Sequence, residues 1–578
     1  MSMSRTHKRL ALFMGFAVVF LVALFARTFY VQVVAAPSLQ ETADNQHVRT
    51  IKLDAPRGTI FDRNGDALAI SRTMASIYSD PRHVSDPAKT AAALAPILGL
   101  SKQELLDKLA DDVGFRYLAR KIDPAIGARV KALKLDGIGV LSEPKRVYPK
   151  GALAPQLLGF VGGEDYQGME GLEYEYDEVL SGKPGQTQVV RDPSGNRLST
   201  ISTTDAVPGT SLTLTIDSEI QFEAEKALAA AVDEYDATRA CALVMDPSTG
   251  EILAMASTPV FSPEDYASAD LKKGEARNWM VTDQCEPGST FKMVTVAAAL
   301  ENGIVTPDTP FTLPNEIRVY DKTIHEADTN VPLTRTLTVT QILSKSSNIG
   351  AVTLGKEVGR KHLVDMIEKF GFTERLGIDF PGETRGQLPQ RWNGVTIYQV
   401  PMGQGVAVSP LQLATAYAAI ANDGVLMQPH LVREAADLWS RRVVSPAVAA
   451  QLRGMLTVTV EQGTGKNARL QGYKVAGKTG TAQKPNEKTS GYSDQVIASF
   501  VGMVPADAPR LLILVMIDEP KTEHTGAKVA APVFATIADF ALKRLGIAPG
   551  TLDEGSAEAK AAGTSTAPEG AVDPAGSE

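Results

Sequence analysis

Cysteine is almost missing from this sequence: Cys241 and Cys285 are the only two in 578 residues. Two thiols cannot build a multi-bridge disulfide framework, and neither lies in a CxxC or Cys/His cluster with metal-ligand spacing. They read as two small buried hydrophobes, with one pairing left open for an extracytoplasmic domain. A surplus of positive charge is missing too. The net charge of −9 argues against a nucleic-acid binder. Long apolar runs are absent, with one exception. Leu10–Ala26 carries no charge, follows the basic "RTHKR" of Arg5–Arg9, and continues past Arg27 into "TFYVQVVAA". A helix here is long enough to span a bilayer, and the basic flank keeps residues 1–9 cytoplasmic and exports the rest. "VAA" at Val34–Ala36 resembles a cleavage site but lies far from the apolar core. A retained single-pass anchor over residues 10–36 is therefore expected rather than a cleaved signal peptide.

What remains has the composition of a folded protein, 44% hydrophobic and 22% charged, and is long enough for two or three domains. Residues 547–578 form an acidic Ala/Gly/Ser/Thr/Pro/Glu tail with too little apolar surface to offset its ordering entropy, so it is expected to be disordered. The block 47–207 is rich in short β-like runs and turn signals. In "RGTIFDRNGDALAIS", Asn64-Gly65 marks a hairpin between Thr59–Phe61 and Ala67–Ile70, and Arg57, Asp62 and Arg63 suggest a structural salt-bridge knot. Gly171–Leu180 reads as a helix. The block 208–546 opens with a β-run, Leu212–Ile216, and helical spacing from Ile220. "ACALVMDPSTGEILAMAS" reads as strand, turn, strand; "RLLILVMIDEP" as a further strand; and Ala531–Gly546 as a closing helix. Strands at both ends with helices between them predict an α+β domain with a central antiparallel sheet covered by helices.

One short stretch in this block carries chemistry. In "EPGSTFKM", Pro287 and Gly288 precede an apolar helix, and Ser289 and Lys292 fall one turn apart on one face. Lys292 Nζ is then expected within reach of Ser289 Oγ, which is the minimum equipment of an activated nucleophile. SxxK alone is weak evidence, because serine at a helix start is usually a cap. Two further motifs follow in order: Ser346-Ser347-Asn348, and Lys478-Thr479-Gly480-Thr481 in an alternating, strand-like stretch. SxxK, SxN and KTG in this order are the set of penicillin-binding proteins and serine β-lactamases.

From the anchor to about Leu545 the chain resembles a class B penicillin-binding protein, a monofunctional peptidoglycan D,D-transpeptidase. "PRGTIFDRNG", "RVYP" (Arg146–Pro149) and "GLEYEYDEVLSG" (Gly171–Gly182) are similar to segments of that family's non-catalytic, dimerisation-type pedestal. "MGQGVAVSPLQLATAYAAIANDG" (Met402–Gly424) is similar to a segment of its transpeptidase domain. Asn348, where an aspartate is the alternative, resembles the cell-division (FtsI-like) branch more than the elongation branch. Cys285 departs from the family, which more often has an aromatic there.

The resemblance implies roles. Ser289 attacks a stem peptide ending in D-Ala-D-Ala, and Lys292 is the base, neutral through burial and a second cation, Lys478. Ser346 relays the proton and Asn348 holds the substrate backbone. Thr479 and Thr481 bind the terminal carboxylate, and Gly480 lets the substrate approach the strand. The backbone N–H groups of Ser289 and Thr481 form the oxyanion hole. No metal or other cofactor is implied. β-Lactams are implied as inhibitors, and the membrane, a polytopic FtsW-like glycosyltransferase and other division proteins as partners at the septum. A serine β-lactamase or carboxypeptidase shares the motifs, but no glutamate can be placed as a deacylating base, and a lactamase has little use for an anchor. The pedestal is too short for the glycosyltransferase domain of a bifunctional synthase, and a β-lactam sensor acting through a zinc protease would show HExxH.

Overall fold

A computed structural model describes residues 5–36, 48–111, 113–163, 166–191, 197–268, 275–320, 322–328, 330–392, 394–486 and 491–549. The tail expected over 547–578 lies outside these residues from position 550 on. The apolar run forms a helix from Arg5 to Phe29 that continues as a π-helical turn, Tyr30–Val34. His7–Val34 is long and apolar enough to cross a membrane, and no part of it is buried against protein. A helix apolar on every side, with none of its described residues buried, suits a bilayer.

The chain falls into two compact units that are not sequential blocks. The first comprises Met1–Gly58, Ser71–Lys145 and Ser181–Thr210. Val48–Leu53, Gly185–Arg191 and Arg197–Thr204 make a three-stranded antiparallel sheet with the middle segment at its centre. The C-terminal half of the strand Ala67–Ser79 pairs with Arg116–Ile122. Ile77, Leu94, Leu105, Leu109 and Val130 form a small core there with the helices Pro87–Leu98, Lys102–Leu109 and Pro124–Ala132.

The second unit comprises Thr59–Ile70, Arg146–Leu180 and Ser211–Glu578. The expected hairpin is present: Ile60 pairs with Ala69 and Phe61 with Ala67, and Gly65 takes a φ of +90° between them. Asp62 does not act there as a simple ion-pair partner. Its carboxylate accepts the backbone N–H of Asn64 and Asp66 and the hydroxyl of Ser218. "RVYP" and "GLEYEY" also meet in this unit. Arg146 Nε donates to Glu173 Oε1 at 2.6 Å, and both side chains are sealed from solvent. The helix expected over Gly171–Leu180 is two short pieces, Gly171–Glu175 and Asp177–Leu180.

The body of the unit contains α1 (Ser218–Tyr235), β1 (Arg239–Met245), β2 (Ile252–Thr258), α2 (Lys292–Glu301), α3 (Asn348–Lys369), α4 (Pro410–Ala421), α5 (Pro446–Glu461), β3 (Ala476–Pro485), β4 (Tyr492–Val504), β5 (Leu511–Asp518) and α6 (Gly526–Arg544). The strands form one antiparallel sheet in the order β2-β1-β5-β4-β3. Side chains alternate across a strand, and here both faces are covered. Ala240, Ala242 and Val244 of β1 join a core with Ile513 and Val515 of β5, Ile220 and Leu228 of α1, and Phe534 of α6. Cys241, Leu243 and Met245 join the opposite core with Leu512 and Leu514, Met293 of α2 and Leu411 of α4. Double coverage explains why these strands read as continuous apolar runs. Cys241 lies within the second core and Cys285 packs against it, both as free thiols.

The closing helix begins at Gly526, five residues before the expected Ala531, and carries Pro532 inside it. Proline has no N–H to give the carbonyl four residues back. Tyr235 Oη donates to that carbonyl, Lys528 O, at 3.3 Å.

Candidate active site

Three chain segments of the second unit build the site. The first is the turn of SxxK. The expected helix start is a 3₁₀ turn, Gly288–Phe291, so Ser289 is not an α-helical cap and α2 begins at Lys292 itself. The second is the Ser346-Ser347-Asn348 joint. The helix Val339–Ser344 ends in a Schellman motif: Ser347 N donates to Ile342 O and Ser346 N to Leu343 O. The left-handed position of that motif, where glycine is usual, is Ser346 with a φ of +58°. Ser347 then caps α3, its hydroxyl accepting Gly350 N at 2.9 Å. Two residues, Lys345 and Ser346, thus separate the end of one helix from the cap of the next. The third segment is β3. Lys478 to Thr481 pair with Val501 to Ala498 of β4.

A cleft of about 770 Å³ opens over these segments, lined by Ser289, Ser346, Asn348, Thr479, Gly480 and Thr481 among others. Lys292 and Lys478 are buried, exposed by 1% and 0%. Lys292 Nζ donates to Ser346 O at 2.6 Å, Asn348 Oδ1 at 2.7 Å and Ser346 Oγ at 3.3 Å. These three bonds account for its donors. No hydrogen bond joins Lys292 to Ser289 Oγ among the described residues, so the reach expected from helical spacing is spent on the second motif instead. Burial lowers the Lys292 ammonium to about 7, with Glu326 pulling the other way. Lys478 is pushed well below the usual lysine range, first by burial and then by Lys292. Its Nζ donates to the carbonyl of Thr479 at 3.0 Å.

The KTGT residues also bind one another's neighbours. Thr479 Oγ1 lies 2.8 Å from Thr464 Oγ1, and Thr481 Oγ1 accepts Gly526 N at 3.2 Å. A Cβ on Gly480 would stand 2.3 Å from Ser499 Oγ and 3.0 Å from Thr290 Cγ2. Glycine is therefore favoured here first by the packing of Ser499 on the neighbouring strand β4 and then by Thr290 in the Ser289 turn, a reason distinct from substrate approach.

Sequence reading missed several residues. Glu326, 7% exposed, accepts Ser347 Oγ at 2.5 Å and Asn348 N at 2.8 Å, and pairs with Arg335 at 2.7 Å. Asn348 Nδ2 donates to His325 O at 3.0 Å. Glu286, three residues before Ser289, lines the cleft and accepts Gly405 N at 2.9 Å and Tyr492 Oη at 2.9 Å. Burial raises its carboxyl above the usual range. An acid flanking a motif was the only available signal for Glu286. For Glu326 and Thr464 there was none.

The arrangement can hold a neutral amine beneath a serine hydroxyl in a cleft closed by a strand edge. Comparison with known proteins gives the family. The family model "Penicillin binding protein transpeptidase domain" matches residues 240–539, and "Penicillin-binding Protein dimerisation domain" matches residues 52–214. The chain is 35% identical to the probable peptidoglycan D,D-transpeptidase PbpC of Pseudomonas aeruginosa, over 97% of this chain and 99% of that one. It is 33% identical to the peptidoglycan D,D-transpeptidase FtsI of Escherichia coli, over 95% and 93%. Among solved structures it is similar to penicillin-binding protein 3 of Mycobacterium tuberculosis complexed with aztreonam (TM-score 0.67, 30% identity, 86% of this chain and 98% of that one). It is also similar to penicillin-binding protein 2X of Streptococcus thermophilus (TM-score 0.75, 27% identity, 86% and 80%). The chain thus belongs to the class B penicillin-binding proteins, among FtsI-like relatives.

Proposed function

We propose that this protein is a serine-type peptidoglycan D,D-transpeptidase that cross-links stem peptides through an acyl-enzyme on Ser289. The observation that carries the reading is Lys292: buried, lowered to about 7, and bonded to both Ser346 and Asn348 one turn from Ser289. A lysine that is partly neutral near pH 7 can act as a base, which an ordinary lysine cannot. Lys292 gives up one of its bonds to the second motif and takes the Ser289 proton as Oγ adds to the penultimate carbonyl carbon. The C–N bond to the terminal D-alanine breaks, and its nitrogen receives the proton through the Ser346 hydroxyl. The amine of a second stem peptide then attacks the ester carbon, loses a proton to Lys292, and Ser289 leaves with a proton restored. One amide bond is broken and one is formed, with no cofactor. The N–H groups of Ser289 and Thr481 hold the oxyanion, Asn348 the donor backbone, and Thr479 and Thr481 its carboxylate.

In this reading residues 47–207 are a non-catalytic pedestal, residues 208–546 the transpeptidase domain and residues 10–36 the anchor. The anchor holds the protein as a single pass in the plasma membrane with the cleft outside the cytoplasm. The site of action is the division septum, beside a polytopic FtsW-like glycosyltransferase whose glycan it cross-links. The deciding experiment is intact mass after incubation with a penicillin. The wild-type chain gains one adduct, and Ser289→Ala, still folded, gains none. Labelling of the folded alanine variant would sink the assignment. Slow loss of the adduct separates a transpeptidase from a serine β-lactamase.

A further inference from the structure

We infer that Glu326 is a positioning residue of this active site: its carboxylate pins the joint carrying Ser346 and Asn348 and sets the charge that Lys292 faces. Both oxygens are committed to that joint, Oε1 to the Ser347 hydroxyl and Oε2 to the Asn348 N–H. The preceding residue completes the grip, because His325 O accepts Asn348 Nδ2. With its main chain held by Glu326 and its Nδ2 by His325, Asn348 presents Oδ1 to Lys292 in one orientation. Ser346 is fixed by the same clamp: its left-handed backbone is strained for a residue with a Cβ and survives only where its surroundings over-determine it.

Geometry alone would be served by a neutral acceptor. A buried carboxylate is costly unless paired, and Arg335 pairs this one at 2.7 Å through Oε1, the oxygen that also accepts the Ser347 hydroxyl. Among the described residues Lys292 thus interacts with one cation, Lys478, and one anion, Glu326, and Arg335 is paired with that anion. Glu326 raises the Lys292 ammonium against the burial that lowers it. Without Glu326 the lysine would lose protons at lower pH; without Arg335 it would hold them to higher pH.

The inference rests on Ser289 as nucleophile and Lys292 as base. Its test is the acylation rate of the full-length protein by a fluorescent penicillin as a function of pH, with melting temperature measured alongside. In Glu326→Gln the acid limb moves to lower pH by about half to one unit, and the plateau rate falls about ten-fold because one clamp bond is lost. Glu326→Asp, which keeps the charge, returns the limb toward the wild-type position. Arg335→Met moves the limb the opposite way, a result that loss of structure cannot produce. Should Glu326→Gln fail to fold, Arg335→Met decides alone, since it leaves both clamp bonds in place. Acid limbs of the folded variants that coincide with wild type overturn the inference while leaving the transpeptidase reading intact. A wild-type protein not labelled at Ser289 overturns the reading itself.

Discussion

Lys292 Nζ donates to Asn348 Oδ1 at 2.7 Å, which joins the first motif to the second through a half-buried hydrogen bond. Arginine in place of Lys292 keeps a cation near that oxygen but stays protonated. Lys292→Arg is therefore expected to lose about 10²–10⁴-fold in acylation rate, nearly as much as Lys292→Ala. Near-normal labelling of the arginine variant would mean that Lys292 serves only as a cation.

The same lysine ties stability to pH. Burial lowers its pKa to about 7 in the folded protein, against the ordinary lysine value of 10.5 when unfolded. Between those values the unfolded chain binds more protons, so the Lys292 contribution to stability rises with pH from about 7 to 10. Burial of Glu225 raises its carboxyl to about 7, which acts in the opposite sense below that pH. The difference between wild type and Lys292→Met removes that background. Melting temperatures of the two, measured from pH 6 to 10, should converge as pH rises. A constant gap would show that Lys292 is not neutral in the folded protein.

Ser346 sits at a φ of +58°. Glycine at this position relieves the strain at a Schellman end and is expected to stabilise the protein by about 1 kcal/mol. It also removes the hydroxyl 3.3 Å from Lys292 Nζ. Ser346→Gly should therefore melt higher and acylate more slowly. A variant both less stable and fully active would contradict the roles given to this joint.

Arg146 and Glu173 form an ion pair with side chains exposed by only 1% and 0%. Removing one partner strands a buried charge. Glu173→Ala is expected to lose about 3–5 kcal/mol in urea unfolding, while replacing both with apolar residues of similar size costs much less. Equal losses from the single and double variants would show that the pair itself supplies the stability.

Within Leu10–Ala26, Gly15, Ala17, Ala23 and Ala26 are small enough for close helix–helix approach. Exchange of this span for an unrelated apolar one of equal length should leave penicillin labelling unchanged and impair division. Full complementation by the swapped anchor would reduce the helix to a tether.

The motifs were legible because each is a run of consecutive residues whose chemistry shows in the string. The strands of the sheet were legible because burial on both faces makes them uniformly apolar. Glu326 was not, because it reaches Ser347 and Asn348 across a fold that sequence distance hides. Nor did "RVYP" and "GLEYEY" reveal that they exist to bury one arginine against one glutamate. The sequence reading began α6 at Ala531, whereas its first residues, Gly526–Ala530, precede Pro532, a residue ordinarily kept out of helix interiors. Tyr235, far away in the chain, supplies the hydrogen bond that makes the exception tolerable.

The strand order β2-β1-β5-β4-β3 also governs timing. β5 (Leu511–Asp518) is the middle of the sheet, yet it is the last of the five to leave the ribosome. β1 and β2 emerge far earlier and must wait, with one apolar edge unpaired, for a partner made near the end of synthesis. Long-range closure of this kind is slow and exposes sticky edges meanwhile. The Gly288–Phe291 turn, made midway, packs against β3 and cannot be seated before that strand exists. A nascent or truncated chain lacking β5 should therefore be a client for chaperones rather than a reduced enzyme.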